Sequence, residues 1–334
     1  MTDLLQPTPN GLYCSEGDFT IDPRNPVKRA VITHAHADHA RGGSQSYLCA
    51  RESRGILQSR LGREADIRPL DYGEILKINS VALSLHPAGH ILGAAQVRLE
   101  KNGYTCVVSG DYKTVRDPTC RPLEPLRCQH FISESTFGLP IFRWPAATDL
   151  IGDIESWWRE NQVQNRTSVL FAYALGKAQR ILACLGADIG PILTHGAVEA
   201  VNQVYRESGV SLPATRHVGD IRDKGLLAKA LVVAPPSADN LAWMGRFSHP
   251  SRAFASGWMR IRGNRRRRSL DRGFVMSDHA DWDGLIKTIA ASGAERIDLT
   301  HGYAEEMARW LREQGLEAQA LPAGNAVAAE GDRG

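Results

Sequence analysis

Residues 33–39 read Thr33-His34-Ala35-His36-Ala37-Asp38-His39, which places four ligand-type side chains within six positions. The segment follows an apolar run typical of a short strand, so the backbone can turn there and direct these side chains to one point. Imidazole and carboxylate are the ligands that borderline divalent metals such as zinc prefer. A polar surface loop also carries histidines, but this spacing favours a metal site.

Further ligand-type residues follow other strand-like runs, each beside a glycine that leaves space. They are His90 in Pro87-Ala88-Gly89-His90, Asp111 in Ser109-Gly110-Asp111, and His301 in Thr300-His301-Gly302. One such residue alone is more often a turn cap or a hydrogen-bonded core group. Six positions cannot complete two coordination shells, so the matched set favours a metal centre assembled from several strand ends.

These residues resemble the metallo-β-lactamase superfamily, whose pattern is His-x-His-x-Asp-His followed by a distant His, an Asp and a final His. The resemblance implies two divalent metal ions, zinc first, with manganese or iron as alternatives. It assigns the metal ligands as follows: His34, His36 and His90 to one ion, Asp38, His39 and His301 to the other, and Asp111 as a bridge.

The same resemblance implies catalytic roles for Asp38 and Asp22. Asp22, in Thr20-Ile21-Asp22-Pro23, stands where the family has a buried carboxylate that orients ligand histidines. A turn cap before Pro23 is the alternative. Two divalent ions about 3.5 to 4 Å apart lower the pKa of a shared water to about 7 and neutralise charge on a phosphoryl oxygen. A leaving alkoxide still needs a proton donor.

Two more motifs resemble the β-CASP branch of this superfamily, whose members process nucleic acids. They are Ile132-Ser133-Glu134-Ser135-Thr136-Phe137-Gly138 and Met276-Ser277-Asp278-His279-Ala280-Asp281. The resemblance pairs Glu134 with His279 near the metals, where they serve the leaving group and the scissile phosphate. A carboxylate beside His279 is expected to keep the imidazole protonated as a donor near pH 7. A turn partner for Glu134 and a helix cap for His279 are the alternatives.

Substrate contacts are expected from residues near these motifs. Ser135 and Ser277 lie within them, and Gly176-Lys177 opens a helix whose amides, with the lysine charge, could receive a phosphate. A plain helix start is the rival interpretation of Lys177.

Seven arginines occur between residues 260 and 272: Arg260, Arg262, Arg265, Arg266, Arg267, Arg268 and Arg272. Clustered arginines bind backbone phosphates without sequence preference, so Arg265, Arg266, Arg267 and Arg268 are predicted to bind substrate. A solvated loop is the alternative. The nearby aromatic residues Trp258 and Phe254 suit either base stacking or the core.

The order of sequence patterns predicts an α/β fold. Short β-branched runs at residues 19–21, 30–33, 81–85, 94–100 and 104–109 predict strands, with a hairpin turn at Lys101-Asn102-Gly103. Helical periods begin near residue 147, and residues 273–277, 281–291, 296–300 and 304–313 read as strand, helix, strand and helix. The resemblance implies an αββα four-layer sandwich at 1–139 and 273–334, an inserted α/β β-CASP cap at 140–272, and an active site in the cleft between them.

Composition narrows the class of protein. A chain of 334 residues with 43% hydrophobic content buries one large core or two ordinary ones. No apolar run reaches about 18 residues, and the start lacks a basic segment before an apolar stretch, so we expect no membrane span, no signal peptide and a cytoplasmic location. The net charge of +3 says little about a polyanionic partner, and the six scattered cysteines predict reduced thiols.

The expected function is a metal-dependent phosphodiesterase that degrades DNA ends, an exonuclease in DNA repair. Gly11-Leu12-Tyr13-Cys14 and Asp278-His279-Ala280-Asp281-Trp282 are similar to the short bacterial DNA ligase-associated exonucleases, which implies DNA as partner and a functional association with a DNA ligase. A histidine in the final motif is commoner among RNA-acting members, so an RNA-processing nuclease is the alternative. The cap-sized insertion disfavours a small-molecule thioester or lactone hydrolase, and the full ligand set disfavours a non-catalytic scaffold.

Overall fold

The chain forms two compact units. A computed structural model describes residues 3–186, 188–261, 263–264 and 269–322. Among these residues, the first unit comprises 3–142 and 279–322, and the second comprises those between Arg143 and Asp278. The described residues form a mixed α/β fold with three sheets. The four-layer order αββα stays a prediction.

The regular elements are numbered in chain order. The strands are β1 Gln6–Thr8, β2 Gly11–Cys14, β3 Phe19–Ile21, β4 Arg29–Val31, β5 Ser46–Ala50, β6 Ile67–Leu70, β7 Leu76–Ile78, β8 Val81–Pro87, β9 Ala95–Lys101, β10 Tyr104–Val108, β11 His130–Glu134, β12 Ser168–Phe171, β13 Ile192–Thr194, β14 Arg216–His217, β15 Leu231–Ala234, β16 Ser251–Ala255, β17 Arg272–Phe274, β18 Arg296–Thr300 and β19 Glu317–Ala320. The α-helices are α1 Arg54–Leu61, α2 Ala147–Val163, α3 Lys177–Cys184, α4 Gly196–Glu207, α5 Lys224–Lys229, α6 Leu241–Met244, α7 Trp282–Ser292 and α8 Ala304–Glu313.

Two mixed sheets build the first unit. One has the strand order β1-β2-β3-β4-β5-β6, and the other β19-β18-β11-β10-β9-β8-β7. The predicted hairpin is present: β9 and β10 pair antiparallel, and Asn102 and Gly103 adopt φ angles of 51° and 79°. Strands β10, β11 and β18 run parallel, so their carboxyl ends meet at one edge of the sheet.

The hydrophobic core of the first unit draws on both sheets. Phe19 and Val31 from the first sheet and Leu83, Val97 and Ile132 from the second belong to one buried cluster. Alternate residues of each strand supply the cluster, because successive side chains of a strand point to opposite faces. This packing holds the ends of β4, β8, β10 and β11 in fixed positions, and β18 pairs with β11.

The second unit is a parallel sheet buried on both faces. Its strand order is β14-β13-β15-β12-β16-β17, and every pairing is parallel. Leu170 and Ala172 belong to one apolar cluster, whereas Val169 and Phe171 belong to another. Near-continuous hydrophobic strands such as Leu231–Ala234 are the sequence signature of such a sheet.

Two smaller expectations can be compared with the structure. Among helices of the described residues, none combines the length and apolar character that a membrane-spanning helix needs. The six cysteines are all free thiols, as predicted, and Cys14, Cys49, Cys106 and Cys128 are buried.

Candidate active site and metal centre

The ligand-type residues of the first unit lie at strand ends that converge from both sheets. His34, His90 and Asp111 each stand three residues beyond β4, β8 and β10, and His301 directly follows β18. A hydrogen bond of 2.8 Å from the amide of Ala95 to the carbonyl of Thr33 joins the two sheets next to the site. The side chains meet as the sequence predicts, although they come from segments far apart in the chain.

One group of donors is spaced for a single ion. His36 Nδ1 lies 3.1 Å from both His34 Nε2 and His90 Nε2. Asp111 Oδ2 lies 3.5 Å from His34 Nε2 and 3.8 Å from His90 Nε2. Tetrahedral zinc with Zn–N bonds of about 2.0 to 2.1 Å separates its donors by about 3.3 Å. These four residues therefore have the spacing of one coordination shell.

A second group shares Asp111 with the first. His39 Nε2 lies 3.6 Å from Asp111 Oδ2 and 3.7 Å from Asp38 Oδ2. The ring of His301 stacks on that of His39 with a centroid separation of 5.2 Å. Asp111 Oδ2 thus lies between the two groups, in the position of a bridging ligand.

Two buried atoms support the fit of a cation pair. His39 Nε2 and Asp111 Oδ1 are buried and have no hydrogen-bond partner. Such atoms are rare in folded proteins, because an unsatisfied buried polar group is costly. Both atoms belong to ligand-type side chains, and cations would satisfy them. The residues present therefore fit two divalent metal ions.

Asp22 sets the proton positions on two of the histidines. Its Oδ2 accepts from the Thr33 hydroxyl at 2.6 Å and from His39 Nδ1 at 2.7 Å, and its Oδ1 accepts from the Thr33 amide at 2.8 Å. Because a hydroxyl has one proton, Thr33 can only accept from His34 Nδ1, 3.1 Å away. His34 and His39 are then protonated on Nδ1, which leaves the Nε2 lone pairs for a metal.

A threonine hydroxyl also fixes the proton position on His301. The Thr300 hydroxyl donates to the carbonyl of Ser133 at 3.3 Å, so it accepts from His301 Nδ1 at 3.0 Å. His301 is thereby also left with its lone pair on Nε2. Thr33 and Thr300 were not singled out as site residues by sequence reasoning, although each directly precedes a ligand-type histidine.

Charges within the cluster shift several pKa values. Burial and the neighbouring imidazoles lower the pKa of His34 well below its usual range. Burial opposes protonation of His39 too, but the carboxylates of Asp111, Asp38 and Asp22 raise its pKa well above the usual range. Desolvation opposes the charge on Asp38, yet the imidazoles around it lower its pKa to about 2. The carboxylates around His39 thus favour a positive charge at this place, and a metal cation bound by the neutral imidazole would supply that charge instead of a proton.

Glu134 and His279 form a buried pair next to the metal ligands. Glu134 Oε2 lies 2.8 Å from His279 Nδ1, and Glu134 Oε1 accepts from the amide of Tyr112 at 2.7 Å. His279 Nδ1 is 3.9 Å from Asp111 Oδ2, and its ring centroid is 4.7 Å from that of His90. The hydrogen bond between Nδ1 and the carboxylate fixes the orientation of the His279 ring. The amide of Tyr112 was not singled out by sequence reasoning.

The residues predicted to contact substrate have partners within the protein. Ser135 is buried, and its one hydroxyl proton is shared between the carbonyls of Thr300 and His301. The predicted contact of Ser135 with substrate stays a prediction that this burial does not favour.

Lys177 and Ser277 belong to the second unit and are also buried. Lys177 Nζ lies 3.7 Å from Asp278 Oδ2 and 4.4 Å above the ring of Tyr173, whereas the carbonyl of Ser277 accepts from Arg180 at 2.7 Å. Their substrate contacts stay predictions. Phe254 lies in the core of this unit. Arg262 and Arg265, Arg266, Arg267 and Arg268 lie outside the described residues.

A buried ion pair supports the loop of His90. Lys113 donates to Asp117, and its Nζ lies 3.5 Å from the carbonyl of His90. A Cβ on Gly89 would lie 2.5 Å from the carbonyl oxygen of Lys113, so only glycine allows this close approach. Sequence reasoning missed Lys113 because no local pattern marks a lysine as buried.

The chain is similar to proteins of nucleic-acid metabolism. A protein of Opitutus terrae named "Probable DNA ligase" is 31% identical over 314 residues, which cover 93% of this chain and 30% of that protein. Ribonuclease TTHA0252 of Thermus thermophilus is 28% identical over 151 residues, which cover 36% of this chain and 34% of the ribonuclease. The chain thus spans about a third of the length of these relatives.

A solved structure supports the fold. The crystal structure of a protein of unknown function from Enterococcus faecalis V583 superposes with a TM-score of 0.60 at 13% identity, over 89% of this chain and 80% of that one. No protein-family model matches the chain.

Proposed function

Because the chain belongs to the β-CASP branch of the metallo-β-lactamase superfamily, we propose that it is a metal-dependent nuclease that degrades DNA ends. The observation that carries the proposal is the convergence of two donor groups on Asp111, with the Glu134–His279 pair beside them. We propose the metal ligands as predicted: His34, His36, His90, Asp38, His39, His301 and Asp111. The second unit is proposed to be the β-CASP cap.

The proposed ligands suit zinc, and manganese or iron are alternatives. When bound there, two divalent cations supply a hydroxide nucleophile at neutral pH and neutralise charge that develops on a phosphoryl oxygen. The chain itself contributes the orientation of the ligands, through Asp22 and the two threonines.

The chain also supplies a proton donor. Glu134 Oε2 lies 2.8 Å from Nδ1 of His279, which fixes the orientation of the ring. We propose that His279 donates a proton to the leaving alkoxide, a step that general acids speed by about 100- to 10,000-fold. Glu134 is held in turn by the Tyr112 amide, so the pair cannot rotate away from Asp111.

DNA is proposed as the first substrate. Nearly all of this chain aligns with less than a third of a protein named a probable DNA ligase, so in that protein a similar region is joined to further sequence. We infer from this a functional association with a DNA ligase and a role in DNA repair. The ribonuclease relative, together with His301, supports RNA as the second candidate.

The experiment presents the purified full chain with end-labelled DNA and RNA of one sequence, under Zn²⁺, Mn²⁺ or chelator. We expect a metal-dependent ladder that shortens DNA from its ends. Glu134→Gln and His279→Ala are expected to lower the rate by at least about 100-fold. His217→Ala, a change at an exposed histidine of the second unit, is the matched control and is expected to leave the rate unchanged.

Three results would contradict the proposal. Cleavage that persists in chelator would exclude the metal centre from the reaction. Full activity of His279→Ala would remove the proton-donor assignment. Cleavage of RNA alone would transfer the proposal to the second candidate.

A further inference from the structure

Ser135 follows Glu134 directly and contacts the turn that carries His301. Its single hydroxyl proton is shared between the carbonyl of His301, at 2.7 Å, and that of Thr300, at 2.9 Å. Its amide donates to the same Thr300 carbonyl at 2.8 Å, and its own carbonyl accepts from the amide of Tyr303 at 3.0 Å. The carbonyl also accepts from the amide of Gly138 at 2.9 Å, but the amide and the hydroxyl of Ser135 are both directed to residues 300 and 301.

The turn that Ser135 contacts is strained. His301 has a φ of 60°, in the left-handed region that is unfavourable for a residue with a Cβ. Gly302 follows with a φ of 56°, and a Cβ there would lie 2.4 Å from the Cα of Thr136. Since such a conformation persists only where its surroundings over-determine it, something must hold His301 in place. The backbone and hydroxyl of Ser135 do this.

We propose that Ser135 is a positioning residue that holds His301 in the orientation required for metal binding; this rests on the proposed function. The carbonyl of His301 is fixed by the Ser135 hydroxyl and its imidazole by the Thr300 hydroxyl. Without the first bond the backbone of residue 301 relaxes out of the left-handed region and carries the ring away from His39.

Two neighbouring residues at the end of β11 bind two different parts of the site. Glu134 bonds the proton donor His279, and Ser135 bonds the turn of His301. The last residue of β11 and the residue that follows it therefore fix the spacing between the proposed proton donor and the last proposed metal ligand. With ions held by the proposed ligands, this spacing would set their distance from the proton donor.

The test measures metal affinity. Apo protein is titrated with Zn²⁺ against a chromophoric chelator, for wild type and for Ser135→Ala. We expect two binding steps in the wild type, and a loss of about 10- to 100-fold in one step only for Ser135→Ala, the range seen when a partner of a metal ligand is removed.

Ser292→Ala is the matched control. Ser292 is also buried in the first unit and donates to a backbone carbonyl, that of Ile289, at 2.6 Å. We expect this variant to lose stability but to keep both affinities. Ser135→Cys, which keeps the size of the side chain and has a weak donor, is expected to lose affinity in the same step as Ser135→Ala. It provides the answer if Ser135→Ala does not fold.

The outcomes separate the inference from the function. If Ser135→Ala or Ser135→Cys folds and binds both ions as wild type does, the inference is overturned. An equal loss in Ser292→Ala would also overturn it, since the effect would then be general destabilisation. If wild type binds two ions and Ser135→Ala loses one step, while no nucleic acid is cleaved, the proposed function fails and the inference stands.

Discussion

Replacing Asp22 by asparagine tests the proton positions of the metal centre. The carboxylate accepts three hydrogen bonds, from the amide and hydroxyl of Thr33 and from His39 Nδ1. The amide of asparagine has nearly the same shape, but its nitrogen only donates. Placed at the position of Oδ2, that nitrogen faces two groups that also donate.

The substitution therefore changes the proton positions on two histidine ligands. The Thr33 hydroxyl must turn its proton toward His34 Nδ1, which moves the imidazole proton to Nε2. His39, which loses its acceptor at Nδ1, moves its proton to Nε2 for the same reason. In each of the two groups of proposed metal ligands, one nitrogen that would bind the ion is then protonated. If the amide flips instead, its nitrogen opposes the amide of Thr33, so one conflict remains in either orientation.

The magnitude follows from the two blocked ligands. Loss of a hydrogen-bond partner of a metal ligand costs about 10- to 100-fold in affinity, or about 1.4 to 2.7 kcal/mol for each ion. We therefore expect Asp22→Asn to weaken both binding steps and to lose about 3 to 5 kcal/mol of total metal-binding free energy. Ser135→Ala, by contrast, should weaken only one step.

The assay is the chelator titration of apo protein, with urea unfolding measured in parallel. Asp298→Asn is the matched control, because Asp298 is a buried carboxylate that accepts from His130 Nε2 at 2.9 Å but contacts no proposed metal ligand. It should lose stability and keep both affinities. If Asp22→Asn binds both ions as tightly as wild type, the assignment of protons through Asp22 is refuted.

Three further changes test the surroundings of the site. Burial opposes the charge on Asp298, but hydrogen bonds from His130 and Gln319 hold its pKa below the usual range. The contribution of this carboxylate to stability is therefore present above about pH 4 and is lost as the pH falls further. The free energies of unfolding of wild type and Asp298→Asn should converge in acid, and a difference that stays constant with pH would contradict this. Gly302→Ala places a Cβ 2.4 Å from a backbone carbon at a φ of 56°, so urea unfolding should show a loss of at least about 2 kcal/mol. Lys113→Met leaves Asp117 buried without its cation and should lower the free energy of unfolding by about 3 to 5 kcal/mol in the same assay. A Lys113→Met/Asp117→Leu double variant removes both charges and should recover part of that loss.

Local sequence pattern predicts those helices and strands that are bounded by clear turn residues. Arg296–Thr300 and Ala304–Glu313 are predicted at the bounds that the structure has. The helix lies between two glycines with positive φ, which interrupt the pattern on both sides. Other elements lack such signals: Ile67–Leu70 includes Pro69, a residue that disfavours strands, and is tolerated because β6 pairs with β5 alone at the edge of its sheet.

Chemistry predicts which residues gather at the site, but it does not predict which of them face solvent. Ser135 and Lys177 belong to types that often bind phosphate, and both are buried. The partner of Lys177 is Asp278, and the partners of Ser135 are the carbonyls of residues 300 and 301. These contacts join segments distant in the chain, so no local pattern shows that the donors are already used.

The threonine-histidine pairs show what a local pattern leaves open. Thr33-His34 and Thr300-His301 each stand at the end of a strand, and so does Thr194-His195. In the third pair the Thr194 hydroxyl donates to Glu199 at 2.5 Å, and His195 Nδ1 accepts from the amide of Ala197 at 3.1 Å.

The third pair therefore has the opposite tautomer. An Nδ1 that accepts leaves the proton of a neutral His195 on Nε2, where it blocks a metal, whereas His34 and His301 are protonated on Nδ1. The dipeptide is the same, and the difference comes from the groups around it. At the proposed metal site, Asp22 and the carbonyl of Ser133 accept the hydrogen bonds from the threonine hydroxyls. At the third pair, the amide of Ala197 in α4 donates a hydrogen bond to Nδ1 of His195. Which histidines can bind a metal is thus decided by the fold, through acceptors that the sequence places far away.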